Sequence, residues 1–490
     1  MIHLGFDHSY RRLPERFHAA QPPARAPAPR LLAFNRPLAE DLGFDPAIVE
    51  PLAAEMFSGN SLARDAAPIA LAYAGHQFGH FVPSLGDGRA LLLGEIVDPR
   101  GRRRDVQLKG AGPTPFSRRG DGRAALGPVL REYVVSEAMH ALGIPTTRSL
   151  AAVATGEVVH RDGPLPGAVL TRVAASHLRV GTFQYFAARG DVEALALLLD
   201  HAIGRHDPDL VGAERPALAF LEAVASRQAA LVARWLCAGF IHGVMNTDNM
   251  AVSGETIDYG PCAFLDGYDP GKVFSSIDHG GRYAFANQPS IARWNLARLA
   301  ETLLPLVDED TDRAIAASVA VLEKFPAVFE REWQGGLRAK VGLAGEEEEG
   351  DRALVGALLG AMQASSADWT LAFRRLADAA EGDRGEAALR ELFAGPQEID
   401  AWLAAWRSRL ARDPQAPPER AAAMRRVNPL FIPRNHRVEQ AIRAAQVGDL
   451  SPFSTLCEVL RRPFDEQPGS ATLADPPRPD EVVRETFCGT

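Results

Sequence analysis

Apolar positions in the first third of the chain follow the two rhythms of regular structure. Residues 91–97 (LLLGEIV) are an apolar run with a β-branched end, set behind the turn residues 86–89 (GDGR), which predicts a strand. Residues 102–110 (RRRDVQLKG) alternate through Val106 and Leu108 and predict a second strand; 167–174 (GAVLTRVA) predict a third. Between them Val129, Leu130, Tyr133, Val134 and Ala138 recur at helical spacing over 128–144, with Pro128 at the start and Gly143 at the stop. From residue 178 onward the spacing is helical, with helices expected over 191–205, 216–239 and 290–306 and one β interruption at 249–266. The pattern is that of an α+β protein, a small β-rich part followed by a larger helical one. Four segments follow: an N-terminal extension over 1–60 with a proline-rich stretch (AAQPPARAPAPR), the β-rich part over 61–175, the helical part over 176–335, and a helical C-terminal extension over 336–490.

Composition narrows the class. A chain of 490 residues is too long for one ordinary core. Hydrophobic content of 46% and charged content of 23% are those of a soluble globular protein. A net charge of −9 argues against a nucleic-acid binder. No 20-residue apolar span suggests a membrane helix, and the N-terminus lacks the apolar centre of a secretory signal. Four cysteines are too sparse for a disulfide scaffold, so a reducing cytoplasm is expected. The run GEEEEGD at 345–351 reads as a solvated acidic loop.

The chemistry-bearing residues come in a recognisable order. HGVMNTDNM, His242 to Met250, has the length of a kinase catalytic loop, with Asn249 at its last position. Nine residues later stands Asp258-Tyr259-Gly260, a D-F-G-like triplet. Asn249 and Asp258 supply hard oxygen donors of the kind that suit magnesium or manganese. VQLK, Val106 to Lys109, puts a lysine at a strand end, where it contacts phosphates and pairs with a carboxylate from the next helix; Glu132 and Glu137 are both available. GDGR (86–89) and RRGDGR (118–123) supply glycines and arginines for a phosphate cradle, with Arg172 and Arg179 further on. The usual catalytic aspartate position is Val244, which takes no proton, whereas Asp248 stands four residues on. The residues alone leave open a displaced base, as in a kinase with altered geometry, or a nucleotide-binding scaffold without transfer. His76, His80 and His242 lack zinc-like spacing; the first two read as loop-shaping and the third as a brace for the catalytic loop.

Several long stretches resemble the selenoprotein O family, in the form of a bacterial member with cysteine in place of selenocysteine. They include YAGHQFGHFVPSLGDGRALLLGE (73–95), the segment 107–151 from QLKGAGPTPFSRRGDGR onward, GFIHGVMNTDNMAVSGETIDYGPCAFLD (239–266) and the terminal Cys488-Gly489-Thr490. The resemblance implies a protein-kinase-like two-lobed fold that binds ATP in a flipped orientation. It implies transfer of AMP to Ser, Thr or Tyr hydroxyls of protein substrates; a monomer is expected, although the sequence itself does not identify the oligomeric state. Carried over, Gly86, Gly88, Arg89, Lys109, Asp121, Gly122, Arg172, Arg179 and Asp258 contact ATP. Asn249 and Asp258 bind Mg2+ or Mn2+, Asp248 is the base, and Glu132 rather than Glu137 supports Lys109. With the α-phosphate facing the acceptor, Val244 is tolerated where kinases keep an aspartate. Cys262, four residues after Asp258, and Cys488 near the end form a possible redox pair consistent with the family's redox associations. Cys237 and Cys457 read as helix-core residues.

Overall fold

In the computed structural model, which describes residues 2–161 and 163–487, antiparallel strands fill the first third and helices most of the rest. The strands are β1 (His18–Ala20), β2 (Arg30–Phe34), β3 (Ile69–Leu71), β4 (Gly75–Gln77), β5 (His80–Val82), β6 (Ala90–Val97), β7 (Arg103–Lys109), β8 (Ala124–Ala125), β9 (Arg148–His160), β10 (Pro164–Ala174), β11 (Phe240–Ile241) and β12 (Ala263–Phe264). The main sheet runs β1-β3-β6-β7-β10-β9-β2, with β8 also on β10; β4 pairs with β5, and β11 with β12. In the N-terminal half the helices are α1 (Arg36–Asp41), α2 (Pro46–Val49), α3 (Ala53–Phe57), α4 (Leu126–Ala141), α5 (Val180–Ala187), α6 (Val192–His206) and α7 (Pro216–Ala238). Then come α8 (Gln288–Val307), α9 (Thr311–Leu322), α10 (Phe325–Lys340), α11 (Asp351–Ser365), α12 (Trp369–Ala379), α13 (Asp383–Arg390), α14 (Pro396–Leu410), α15 (Pro417–Val427), α16 (Asn435–Gln446) and α17 (Ser451–Leu460).

Both faces of the central strands β6 and β7 are covered, so β6 is largely apolar and β7 buries Val106 and Leu108 together with the polar Asp105, Gln107 and Lys109. Leu91, Leu93, Ile96, Val106 and Leu108 pack with α1 and α3 residues such as Leu38 and Phe57 on one side. On the other side α4 lies against β9 and β10, and is covered in turn by α16 and α17. That enclosure explains why α4 is buried nearly all round, including Arg131 and Glu132. Its periodicity marks the helix, but the helices that cover its outer side, α16 and α17, come from the far end of the chain. The long helix α7 opens with Pro216 in its first turn and closes on Gly239, whose φ of 74° is the left-handed conformation glycine tolerates. Gly239 turns the chain straight into β11 and the loop after it.

Two features depart from the sequence expectation. Residues 1–60 add strands to both sheet edges, β1 on β3 and β2 on β9. β1 (HAA) and β2 (RLLAF) are short and hold no β-branched residue, so the pairing is set by the edges they cover. The expected β interruption at 249–266 is mostly single bridges, Ala251 to Arg179 and Thr256 to Thr146, before the two-residue β12. These residues pair outward with distant segments rather than with one another. Among the described residues, no helix is long and apolar enough to cross a membrane.

Candidate active site

Lys109 ends β7 between Ala90 of β6 and Leu170 of β10. Its ammonium therefore emerges at the sheet's rim, directed at α4. There Nζ lies 2.7 Å from Glu132 Oε2 and also contacts Asp258 Oδ1. Glu132 uses its other oxygen to accept from Arg172 Nε at 2.8 Å, and Arg172 Nη2 reaches Asp258 at 3.4 Å. Burial alone would raise the Glu132 carboxyl, but Arg172 and Lys109 outweigh it and hold it below its usual range. Asp258 is treated the same way by Lys109, Arg172 and Arg89, and stays well below the usual carboxylate range. Glu137 faces elsewhere, accepting from Arg148 Nη2 at 2.7 Å and from the Ser149 backbone N–H at 2.9 Å.

Asp258 has φ of 71°, a left-handed backbone that costs a non-glycine residue on the order of 1 kcal/mol and is held by its surroundings. The conformation turns its half-buried carboxylate into a cleft of about 640 Å³. Gly86, Gly88, Arg89, Asp121, Gly122, Asp248 and Asn249 line the same cleft, joined by Val244. Lys109 and Glu132 face a small space behind Asp258 that Arg89 also borders. Arg172 and Arg179 stand behind the cleft wall, each buried. Arg179 donates from Nη1 to the Asp248 carbonyl at 2.9 Å, and its guanidinium lies 4.3 Å from the centre of the Tyr73 ring.

The glycines of the cradle have steric reasons. A Cβ on Gly86 would lie 2.2 Å from the Phe116 ring, and one on Gly122 would lie 2.1 Å from the Gly112 carbonyl oxygen. Each glycine lets two loops close on one another beneath the cleft. Asp121 is tied to Arg161, whose two terminal nitrogens donate to its carboxylate at 2.9 and 3.1 Å. Arg161 lines the cleft, and the sequence reading did not single it out.

Asp248 is the other carboxylate of the site, and its surroundings are opposite in kind. It is buried, with Oδ1 lacking a hydrogen-bond partner among the described residues and Oδ2 accepting weakly from Gln77 Nε2 at 3.4 Å. Burial pushes its carboxyl up to about 6. The hairpin of β4 and β5 clasps its loop. The His76 N–H donates to Thr247 Oγ1 at 2.7 Å and the Phe78 N–H donates to Asn246 Oδ1 at 3.0 Å. From below, Asn295 Nδ2 donates to the Met245 carbonyl at 2.9 Å, and His242 Nε2 bonds the Ile257 carbonyl at 2.9 Å. His76, expected to shape a loop, thus stands on the hairpin.

Two carboxylates pushed apart in this way can divide labour: Asp258 stays ionised to hold cationic charge, and Asp248 exchanges a proton near neutrality. The donor set also bears on a metal. Asn249 donates its amide nitrogen to the Val244 carbonyl at 3.1 Å, which leaves its amide oxygen for the cleft beside Asp258. Among the described residues no cluster of three His, Cys, Asp or Glu is present. An amide and a carboxylate oxygen fit a hard divalent ion that takes its remaining ligands from phosphate oxygens and water.

Cys262 is buried and its thiol is pushed up to about 12 by burial. Cys488 lies outside the described residues. The tail before it reaches this region, with the Thr486 hydroxyl donating to the Pro261 carbonyl at 2.5 Å.

Comparison with known proteins agrees in length and in kind. Residues 1–461 match the family described as protein adenylyltransferase SelO. A protein nucleotidyltransferase YdiU of Bradyrhizobium sp. (strain BTAi1) is 63% identical over 491 residues, covering all of both chains. Proteins of the same name from Rhizobium leguminosarum bv. trifolii, over 99% of this chain and 97% of the relative, and from Rhizobium meliloti, over all of both, are each 61% identical.

Proposed function

The chain belongs to the SelO family of protein adenylyltransferases, and we propose that its cleft moves AMP from ATP to Ser, Thr or Tyr hydroxyls of proteins, with pyrophosphate leaving. The observation that carries this reading is the pair Asp248 and Asp258 on one cleft wall, one carboxyl near neutrality and one held ionised. We read the sheet with α4 and the helices from α5 onward as the two lobes of a kinase-like fold, with ATP lying between them in the flipped sense.

In this reading Arg89, with the backbone N–H groups around Gly86, Gly88 and Gly122, holds the β- and γ-phosphates. Lys109 sits between Glu132 and Asp258 and places positive charge behind the phosphate chain. Asn249 and Asp258 would hold Mg2+ or Mn2+, which when bound neutralises charge on the phosphate oxygens. Asp248 accepts the proton of the acceptor hydroxyl as that oxygen attacks the α-phosphorus. Arg172 and Arg179 act from behind, fixing Glu132 and the Asp248 backbone respectively. Val244, on the cleft wall where a kinase keeps its aspartate, does not serve the α-phosphate.

Incubation of the protein with α-labelled and, separately, γ-labelled ATP tests the reading. Label on protein from the α position only, lost in Asp258→Ala, is expected. Transfer of the γ label would make the chain a phosphate-transferring kinase with Asp248 as displaced base, and transfer of neither would leave a nucleotide-binding scaffold.

A further inference from the structure

A second cavity, of about 530 Å³, lies at the C-terminal end of α7, away from the cleft. It is bounded by α10, the turn after α4 and the segment after α15. At its wall stands Lys340, only 4% exposed. No carboxylate pairs with Lys340 among the described residues; its Nζ lies 4.4 Å from the centre of the Phe373 ring, and the nearby Cys237 thiol is pushed up to about 12 by burial and stays neutral. A buried ammonium without an anion is costly, and a ring face offsets only part of that cost. Burial brings the amine down to about 8, so it still carries its charge at neutral pH.

The rim adds to that charge. Arg234, Arg331 and Arg426 border the cavity and are exposed, against one acid, Glu332, which is tied to Arg331 at 3.0 Å. In a chain of net charge −9 this is a local excess of cations. The other walls are apolar, among them Ile144, Val427 and Phe464.

Two consecutive glycines of α10, Gly335 and Gly336, line the same cavity. Glycine inside a helix weakens it. Gly336 has a packing reason, since a Cβ there would lie 2.5 Å from Cys237 Sγ and keep α10 from α7. Gly335 has none: a Cβ there meets nothing within 4 Å, and the residue lines the cavity. Gly335 is exposed at the mouth of the cavity, so a larger side chain there would stand over its opening.

We propose that this cavity is a binding site for a small phosphate monoester with an apolar tail, its dianionic head paired with Lys340 and the rim arginines and its tail on the apolar wall. The charge count favours a dianion over a carboxylate, because the rim cations exceed the one acid even without Lys340. The site adjoins the end of α7, whose next residues lead through Gly239 into the catalytic loop.

Titration calorimetry of the full chain with hexyl phosphate tests the proposal, with hexanoate and inorganic phosphate as comparison probes. Hexyl phosphate is expected to bind at least about tenfold more tightly than either. Lys340→Met and Gly335→Leu should each weaken it by about tenfold or more. Lys340→Met removes an unpaired buried charge while keeping the side chain's length, so its melting temperature should hold or rise. If that variant fails to fold, Gly335→Leu decides, because its side chain enters open space. Hexyl phosphate that fails to bind, binds no better than hexanoate or inorganic phosphate, or binds Gly335→Leu as it binds the parent chain overturns the assignment; the last result would put it in the other cleft.

Discussion

Gly75 leaves no room for a side chain beside Asp248: a Cβ built on it would lie 2.4 Å from Asp248 Oδ1 and 2.9 Å from Asp248 Cβ. The β4–β5 hairpin thus sits on the loop of Asp248 at contact distance, fastened by the His76 and Phe78 backbone bonds. Gly75→Ala must move either the hairpin or the aspartate. A base displaced by about 1 Å costs on the order of a hundredfold in rate. The expected result is a fall in kcat for AMP transfer with KM for ATP nearly unchanged, since the phosphate cradle lies on other loops. A rise in KM at constant kcat would mean that the hairpin serves nucleotide binding instead.

Glu132 holds two cations at once, and that makes it the harder of the two α4 acids to replace. Glu132→Gln leaves Lys109 and Arg172 sharing the single carboxylate of Asp258 in a buried place. Breaking such a network costs about 3 kcal/mol. Urea denaturation should show that loss, and ATP affinity should fall with it as Lys109 loses its position. Glu137→Gln disturbs Arg148 and the β9 start but not Lys109, so transfer activity should survive there. Equal loss of activity in both variants would refute the assignment of Glu132 as the partner of Lys109.

The parts of the site visible in the sequence are those made locally. Lys109 at a strand end and Asn249 before Asp258 are fixed by short spacing; Asn249 and Asp258 line the cleft, and Lys109 meets Asp258 from behind it. What the sequence hid is set across long separations. The contact of His76 with Thr247 spans 171 positions, and no local pattern announces it. Arg172 and Arg179 read as phosphate ligands because arginine clusters suggest anions, but spacing does not say which side of a wall a guanidinium occupies. β9 is illegible in the sequence for another reason. Its alanine-rich RSLAAVATGEVVH has weak strand propensity, and pairing with β10 and β2 along its length overrides that.

A proposed disulfide between Cys262 and Cys488 makes a prediction of its own. Cys262 is buried and, with its thiol near 12, a poor nucleophile at neutral pH. Peroxide would therefore oxidise Cys488 first, to a sulfenic acid with loss of water; Cys262 then condenses with it, releasing a second water and forming the disulfide. Thr486 at Pro261 already brings the tail to the residue next to Cys262. Peptide mapping after peroxide treatment should find a Cys262–Cys488 bridge that reductant reverses, with transfer activity changing in parallel. Both thiols remaining free, or a bridge with unchanged activity, would end the idea of a redox switch.

The two cleft carboxylates should separate by pH. Asp248 must be ionised to accept a proton, and burial holds its carboxyl near 6. Transfer at saturating ATP should therefore rise with pH through about 6 and level above it. Asp258, ionised far below that, adds no limb in the same range. Stability should move the opposite way. A carboxyl raised from 3.8 to about 6 on folding binds more protons in the native state between those values. Its contribution to stability is full below the lower value and is lost as pH rises through the higher one. Asp248→Asn, uncharged throughout, should then be inactive yet more stable than the parent at pH 8, by roughly 2 kcal/mol, with the gain vanishing toward pH 4. Urea denaturation at the two pH values, beside the rate profile, tests both halves. An active Asn variant would remove Asp248 from proton transfer, and an inactive one with no gain at pH 8 would show that the aspartate is not desolvated as its buried position requires.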